Sequence, residues 1–244
     1  ERYHFAVTGS NSSLPHPIVY SMLQDDSDIL WVGTNGGGIA KVNPRKRDYV
    51  KFAHNPKDKN SLSAGKINSI LRDSKGDLWF AIYNAGLNRY DADQEEIIKY
   101  QHNPKDSNSL PTDSIVDMIE LNKQQLLLAT HKGLVYYDYE NNKFNEANIL
   151  PNNRIVYSIA KGNNSDLWIG TYTHGLYHYN RETNRLTNQL KNYHHLNNGN
   201  SSLSNNLVYD ILVDSKDRVW VATNDGLNLL EPGRDEFKVY RKVV

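Results

Sequence analysis

One phrase recurs five times along the 244 residues: an apolar stretch, a polar turn, Leu-Trp-apolar-Gly/Ala-Thr, Gly-Leu, then Tyr-Asp. Its clearest copies run from Ile70 to Ala81 and from Ile211 to Ala222. The anchor positions are Trp31, Trp79, Leu127, Trp168 and Trp220, stepping by 48, 48, 41 and 52 residues. Each copy divides into four short strands, and a repeat of this length built that way is a β-propeller blade. A repeat also sorts residues. What recurs in every copy is scaffold, and what departs from it in an exposed loop is where function is sought.

The second copy shows the expected strands: Lys66 to Arg72, Leu78 to Ile82, Gly86 to Asp91 and Ile97 to Tyr100. The turn Asp73-Ser74-Lys75-Gly76 needs a positive φ at its fourth residue, which Gly76 supplies. Asp28, Ser165 and Asp217 stand at the aligned positions. Third strands such as Gly175 to Asn180 alternate with period two. The expectation is an all-β chain, a β-propeller of four-stranded antiparallel blades at about 17–52, 66–100, 114–144, 154–187 and 206–243. Residues 1–7 (Arg2-Tyr3-His4-Phe5 among them) read as the last strand of a preceding blade, so the chain is expected to be a piece of a larger propeller. Two near-identical connectors, His54 to Leu62 and His102 to Leu110, join units, and Asn198 to Leu203 is a looser copy.

Composition narrows the function. Basic and acidic residues balance at 28 each, so no electrostatic footprint points to nucleic acid or an anionic membrane. There is no cysteine, which excludes disulfides, thiolate metal sites and a cysteine nucleophile. No apolar run is long enough to span a bilayer as a helix, and no signal-peptide pattern opens the chain.

The phrase Asp73 to Ala81 followed by Ala85 to Asp91 resembles the two-component regulator propeller repeat. So do Leu30 to Ile39 and Asp225 to Leu229. The third copy departs most, with Leu127 in place of Trp and Leu121 to Gln125 in place of the usual turn. The resemblance implies a seven-bladed parent in the periplasmic sensor region of a hybrid two-component histidine kinase from a glycan-degrading bacterium. It implies an oligosaccharide ligand and a homodimeric parent. No fixed ligand motif comes with it.

The loops between second and third strands vary most from copy to copy. Tyr83, Asn84, His131, Lys132, Tyr172 and His174 are the candidate ligand-binding residues. Aromatic planes suit the apolar face of a sugar ring, and amide or ammonium groups bond its hydroxyls. Turns also favour Asn, Asp and Gly for conformational reasons alone. The Trp anchors and Tyr90, Tyr137 and Tyr179 read as packing between blades. His54 and His102 read as structural hydrogen-bonders. His194 and His195 point apart on an extended chain and make a poor metal pair. No cofactor, metal site or catalytic residue is expected. The expected function is a non-catalytic extracytoplasmic sensor. The alternatives are a lyase resembling the streptogramin-inactivating propellers, with His131 and His174 at the channel, or a protein-interaction platform.

Overall fold

The computed structural model describes residues 14–43, 48–152, 154–163, 166–180, 190–196 and 202–241. The chain is an all-β propeller, and its described residues form five four-stranded antiparallel sheets and no helix. The first sheet is β1 (Val19–Gln24), β2 (Leu30–Thr34), β3 (Ile39–Asn43) and β4 (Asp48–Phe52). The second is β5 (Ile67–Arg72), β6 (Leu78–Ile82), β7 (Gly86–Asp91) and β8 (Glu96–Tyr100). The third is β9 (Ile115–Asn122), β10 (Gln125–Thr130), β11 (Gly133–Asp138) and β12 (Lys143–Ala147). The fourth is β13 (Val156–Lys161), β14 (Leu167–Thr171), β15 (Leu176–Tyr179) and β16 (Leu190–Tyr193). The fifth is β17 (Val208–Val213), β18 (Val219–Thr223), β19 (Gly226–Leu230) and β20 (Phe237–Tyr240). Each is a meander in chain order. Two compact units divide the chain: residues 1–126 with 137–144, and residues 127–136 with 145–244.

The second strands show why these sequences fold this way. Leu78 to Ile82 and Leu167 to Thr171 are buried at every position. A strand covered on both faces reads as a continuous apolar run. The last strands, such as β8, are half-exposed and carry the polar residues. The first unit's core joins Trp31 and Ile39 to Ile67, Ile70, Leu78 and Phe80 of the next sheet. The second unit's core joins Trp168 and Leu176 to Val208, Ile211, Val219 and Val221 in the same way. Tyr137 belongs to an aromatic cluster with Trp79, Tyr100, Tyr139 and Phe144. Burial pushes the Tyr137 and Tyr139 hydroxyls well above the ordinary phenol range.

The hairpin between first and second strands is capped by an aspartate. Asp73 accepts from the Lys75 and Asp77 amides and, through Oδ2, from the Trp79 indole N–H at 2.7 Å. Asp25 does the same for Trp31, and Asp214 for Trp220, each at 2.9 Å. The fourth residue of the turn has φ 97° at Gly76, 62° at Asp28 and 59° at Asp217. Ser165 lies outside the described residues, as does the expected strand at 1–7.

The sequence reading needs two corrections at the fourth blade. Its last strand is Leu190–Tyr193, beyond the expected end near 187. His195, read in the sequence only as half of a poor metal pair, also has a defined place. His195 Nδ1 lies 2.8 Å from the Leu203 carbonyl, as His54 lies 2.8 Å from Leu62 and His102 2.6 Å from Leu110. His195 is thus the third copy of the connector histidine, and Leu203, like Leu62 and Leu110, is a buried plug.

Candidate functional site

The first strands carry the feature that builds a surface. In β1, β5, β13 and β17 the register shifts after the first residue. The residue left over in each bulge is Tyr20, Asn68, Tyr157 and Tyr209 respectively. A bulge bends its strand and re-aims one side chain. At three of these four positions the re-aimed side chain is a tyrosine.

In the second unit the bulge tyrosines make an aromatic row. Tyr157 contacts both His131 (ring centroids 6.1 Å, planes 29° apart) and Tyr172 (5.4 Å, 49°). Tyr209 follows at 6.4 Å and 24° from Tyr157. Tyr172 is 43% exposed and Tyr209 50%, so these faces meet solvent rather than core. The Tyr209 hydroxyl is oriented by a 3.1 Å bond to Asn224 Oδ1. Backbone bonds fix the loops: the Tyr172 amide donates to the Ile155 carbonyl, and Asn224 donates to Leu207.

The first unit has its own group. Lys66 Nζ lies 4.3 Å from the Tyr20 ring centroid and 5.0 Å from that of Tyr83. Burial lowers the Lys66 pKa from its ordinary value. The two ring faces stabilise the ammonium that burial disfavours.

The six residues singled out in the sequence fall as follows. Tyr83 belongs to the lysine group, and His131 and Tyr172 to the aromatic row. Asn84 has φ 55°, and its Oδ1 accepts from Ser114 Oγ at 2.6 Å, so its amide oxygen is used by the loop. Lys132 is exposed, and its amide is bonded to Thr130 Oγ1. His174 is exposed with Nδ1 2.8 Å from Thr173 Oγ1. Sequence reasoning missed Tyr20, Lys66, Tyr157 and Tyr209. The signal was there: an aromatic recurring at one position of the first strand, which strand periodicity alone assigns to packing. Among the described residues, no group of three or more His, Asp or Glu side chains is gathered as metal ligands. No helix among them is long and apolar enough to cross a membrane.

The chain matches the two-component regulator propeller model at residues 13–36, 61–84, 149–173 and 202–225. These segments are the first, second, fourth and fifth copies of the repeat. Among curated proteins, histidine kinase P4 of Formosa agariphila is 42% identical over 78 residues, covering 31% of this chain and 5% of the kinase. Two solved extracellular domains of hybrid two-component systems from B. thetaiotaomicron share the fold. One superposes with TM-score 0.78 at 22% identity, over 97% of this chain and 32% of that domain. The other gives 0.70 at 25% identity, over 87% and 27%. The chain therefore spans about a third or less of these relatives' length. Virginiamycin B lyase from Staphylococcus aureus shares the fold alone, with TM-score 0.67 at 12% identity over 91% of this chain and 69% of the lyase.

Proposed function

We propose that this chain of two-component regulator propeller repeats is part of an extracytoplasmic sensor that binds an oligosaccharide without transforming it. The observation that carries the reading is the aromatic group of His131, Tyr157, Tyr172 and Tyr209, in which Tyr172 and Tyr209 face solvent and His131 and Tyr157 are half-buried. A row of ring faces with polar edges suits successive sugar units, whose rings have apolar faces and hydroxyl rims. Phenolic hydroxyls and the neighbouring Asn224 amide supply bonds to those rims. The relatives' placement in extracellular domains of two-component systems supports the signalling context and an extracytoplasmic, periplasmic location. Signal transfer to a histidine kinase in a dimeric parent requires that the sugar bind two arrangements of the propeller unequally.

The lyase alternative asks His131 and His174 to serve one metal. In the structure His131 is stacked on Tyr157, and His174 Nδ1 is bonded to Thr173. The test is isothermal titration with neutral oligosaccharides of increasing length. Affinity is expected to rise with length, and Tyr157→Ala to weaken binding by roughly tenfold, as removal of an aromatic anchor does. Binding unaffected by Tyr157→Ala sinks the reading.

A further inference from the structure

The fourth blade breaks the repeat where the other tryptophans are capped. Six residues before Trp31, Trp79 and Trp220 stands the aspartate that accepts the indole N–H. Six residues before Trp168 stands Gly162. No described residue accepts from the Trp168 indole. A Cβ built at Gly162 falls 3.5 Å from that indole nitrogen and 3.4 Å from Asp166 Cβ, at an ordinary φ and in ordinary contact. A side chain fits there, and the repeat puts a carboxylate there.

In its place is a cavity of about 340 Å³ within the second unit. This is at the lower end of the size range for small-molecule sites. One wall is Trp168 with His178 stacked on it at 4.1 Å and 13°. His178 Nε2 is held by Asp166 Oδ2 at 2.9 Å, while Asp166 Oδ1 is buried with no hydrogen-bond partner. The unpartnered Asp166 oxygen and an indole N–H that no described residue accepts thus belong to residues lining the same cavity. Buried polar groups in folded proteins are normally paired, so the buried Asp166 oxygen beside the cavity marks a place for a donor from a ligand. Around it Asp166, Asp217, Glu231 and Asp235 outnumber Lys191 and Arg234, four acids to two fixed cations. Lys191 is already paired with Asp235. The lining repels anions and favours a positive group.

We propose that this cavity binds a small hydroxylated amine, of the amino-sugar class. Its ammonium donates to Asp166 Oδ1, and a hydroxyl oxygen accepts the Trp168 indole N–H. This inference does not rest on the aromatic row.

The probes are glucosamine, glucose and glucuronate, titrated calorimetrically into the 244-residue chain. Glucosamine is expected to bind, glucose about tenfold or more weakly and glucuronate weakest of all, as the loss of a charged hydrogen bond and like-charge repulsion require. Gly162→Asp restores the repeat's own side chain and is expected to abolish binding while leaving the melting temperature equal or higher. The second blade, where Asp73 and Asp77 coexist in one turn, is the precedent for that fold. Asp166→Asn, which keeps the shape, is expected to remove the preference for glucosamine over glucose, and it decides the matter should Gly162→Asp misfold. Tyr157→Ala is expected to leave glucosamine binding unchanged, which separates this site from the aromatic row. Absence of glucosamine binding, binding that survives folded Gly162→Asp, or equal affinity for glucose overturns the proposal.

Discussion

Asp73→Ala tests what holds a blade's hairpin. The Asp73 carboxylate accepts four hydrogen bonds: from the Lys75 and Asp77 amides, the Trp79 indole and the Tyr139 hydroxyl at 3.0 Å. The two amides lie in a surface turn and can turn to water. Trp79 is completely buried and cannot. Tyr139 is partly buried, so its hydroxyl recovers some of its loss. Leaving a buried donor unsatisfied costs about 1–3 kcal/mol, so the two side-chain donors together set an expected destabilisation of roughly 2–4 kcal/mol. Removal of the turn's local bonds adds to the upper end. Asp73→Asn keeps one carbonyl acceptor in the same place and is expected to cost about half as much. Urea unfolding followed by tryptophan fluorescence and by circular dichroism gives the measurement. With a slope of about 2–3 kcal/mol per molar, the Asp73→Ala midpoint should fall by about 1 M. An exposed connector aspartate, Asp106, is the control, since its carboxylate accepts the Asn108 turn amide and no buried indole. Equal midpoints for Asp73→Ala and Asp106→Ala would refute the idea that the buried indole bond, rather than turn geometry, is what the repeat preserves.

Three further outcomes are expected. Hydrogen bonds from the Trp220 indole and from Arg218 hold the Asp214 pKa below the ordinary carboxylate range. Burial raises the Asp25 pKa, but bonds from Trp31 and two turn amides outweigh it, so it too is lowered. A carboxylate with a lowered folded pKa stabilises the fold above its unfolded value and loses that contribution as pH falls through the folded one, so the melting temperature should drop from about pH 4 downward, less steeply in Asp214→Asn. His195→Ala should cost about 1 kcal/mol, matching His54→Ala and His102→Ala in a thermal melt, with a chelator changing none of them; a chelator-sensitive His195 would return the metal reading. Gly86 has φ 81°, and a Cβ there meets the Tyr100 carbonyl, so Gly86→Ala should destabilise by more than about 1 kcal/mol; an unchanged melting temperature would show that the loop relaxes freely.

The fold was legible because the repeat reports each blade several times over. Leu-Trp-apolar-Gly/Ala-Thr marks a strand buried on both faces, and Gly76, Asp28 and Asp217 mark the turn that precedes it. The site was legible only in part, for a geometric reason. Tyr83, His131 and Tyr172 sit in loops whose variation is visible in a line of text. Tyr157 and Tyr209 sit inside strands, where alternation assigns them to a face of the sheet. A bulge breaks that alternation, and the only trace it leaves in the sequence is an aromatic recurring at one position of the first strand. The fourth blade's end was misplaced for a related reason. β15 ends at Tyr179 and β16 begins only at Leu190, a wider interval than in the other copies, so the polar tract hid both a strand and a connector histidine.

The same repeat that locates the scaffold also locates its exceptions, and they differ in kind. At the bulge position the five copies read Tyr20, Asn68, Val116, Tyr157 and Tyr209. Asn68 bonds the Ile115 carbonyl of the neighbouring strand, so there the bulge serves the fold. The tyrosines instead meet solvent or a lysine, and variation at this position changes what the surface offers without changing what the core requires. At the cap position the exception is a loss. Three aspartates pair with three indoles, each of these tryptophans also carrying a cation over its ring: Lys41, Arg89 and Arg218. Gly162 removes one partner and leaves the indole of Trp168 lining a cavity, with His178 stacked at the cross-strand position that Lys41 and Arg89 hold in the first two blades. A scaffold indifferent to that position would have let the cavity close by collapse of the turn. Here the His178–Asp166 pair and the stacked tryptophan hold the wall in place, which is the physical reason to look for a ligand there before regarding Gly162 as a defect.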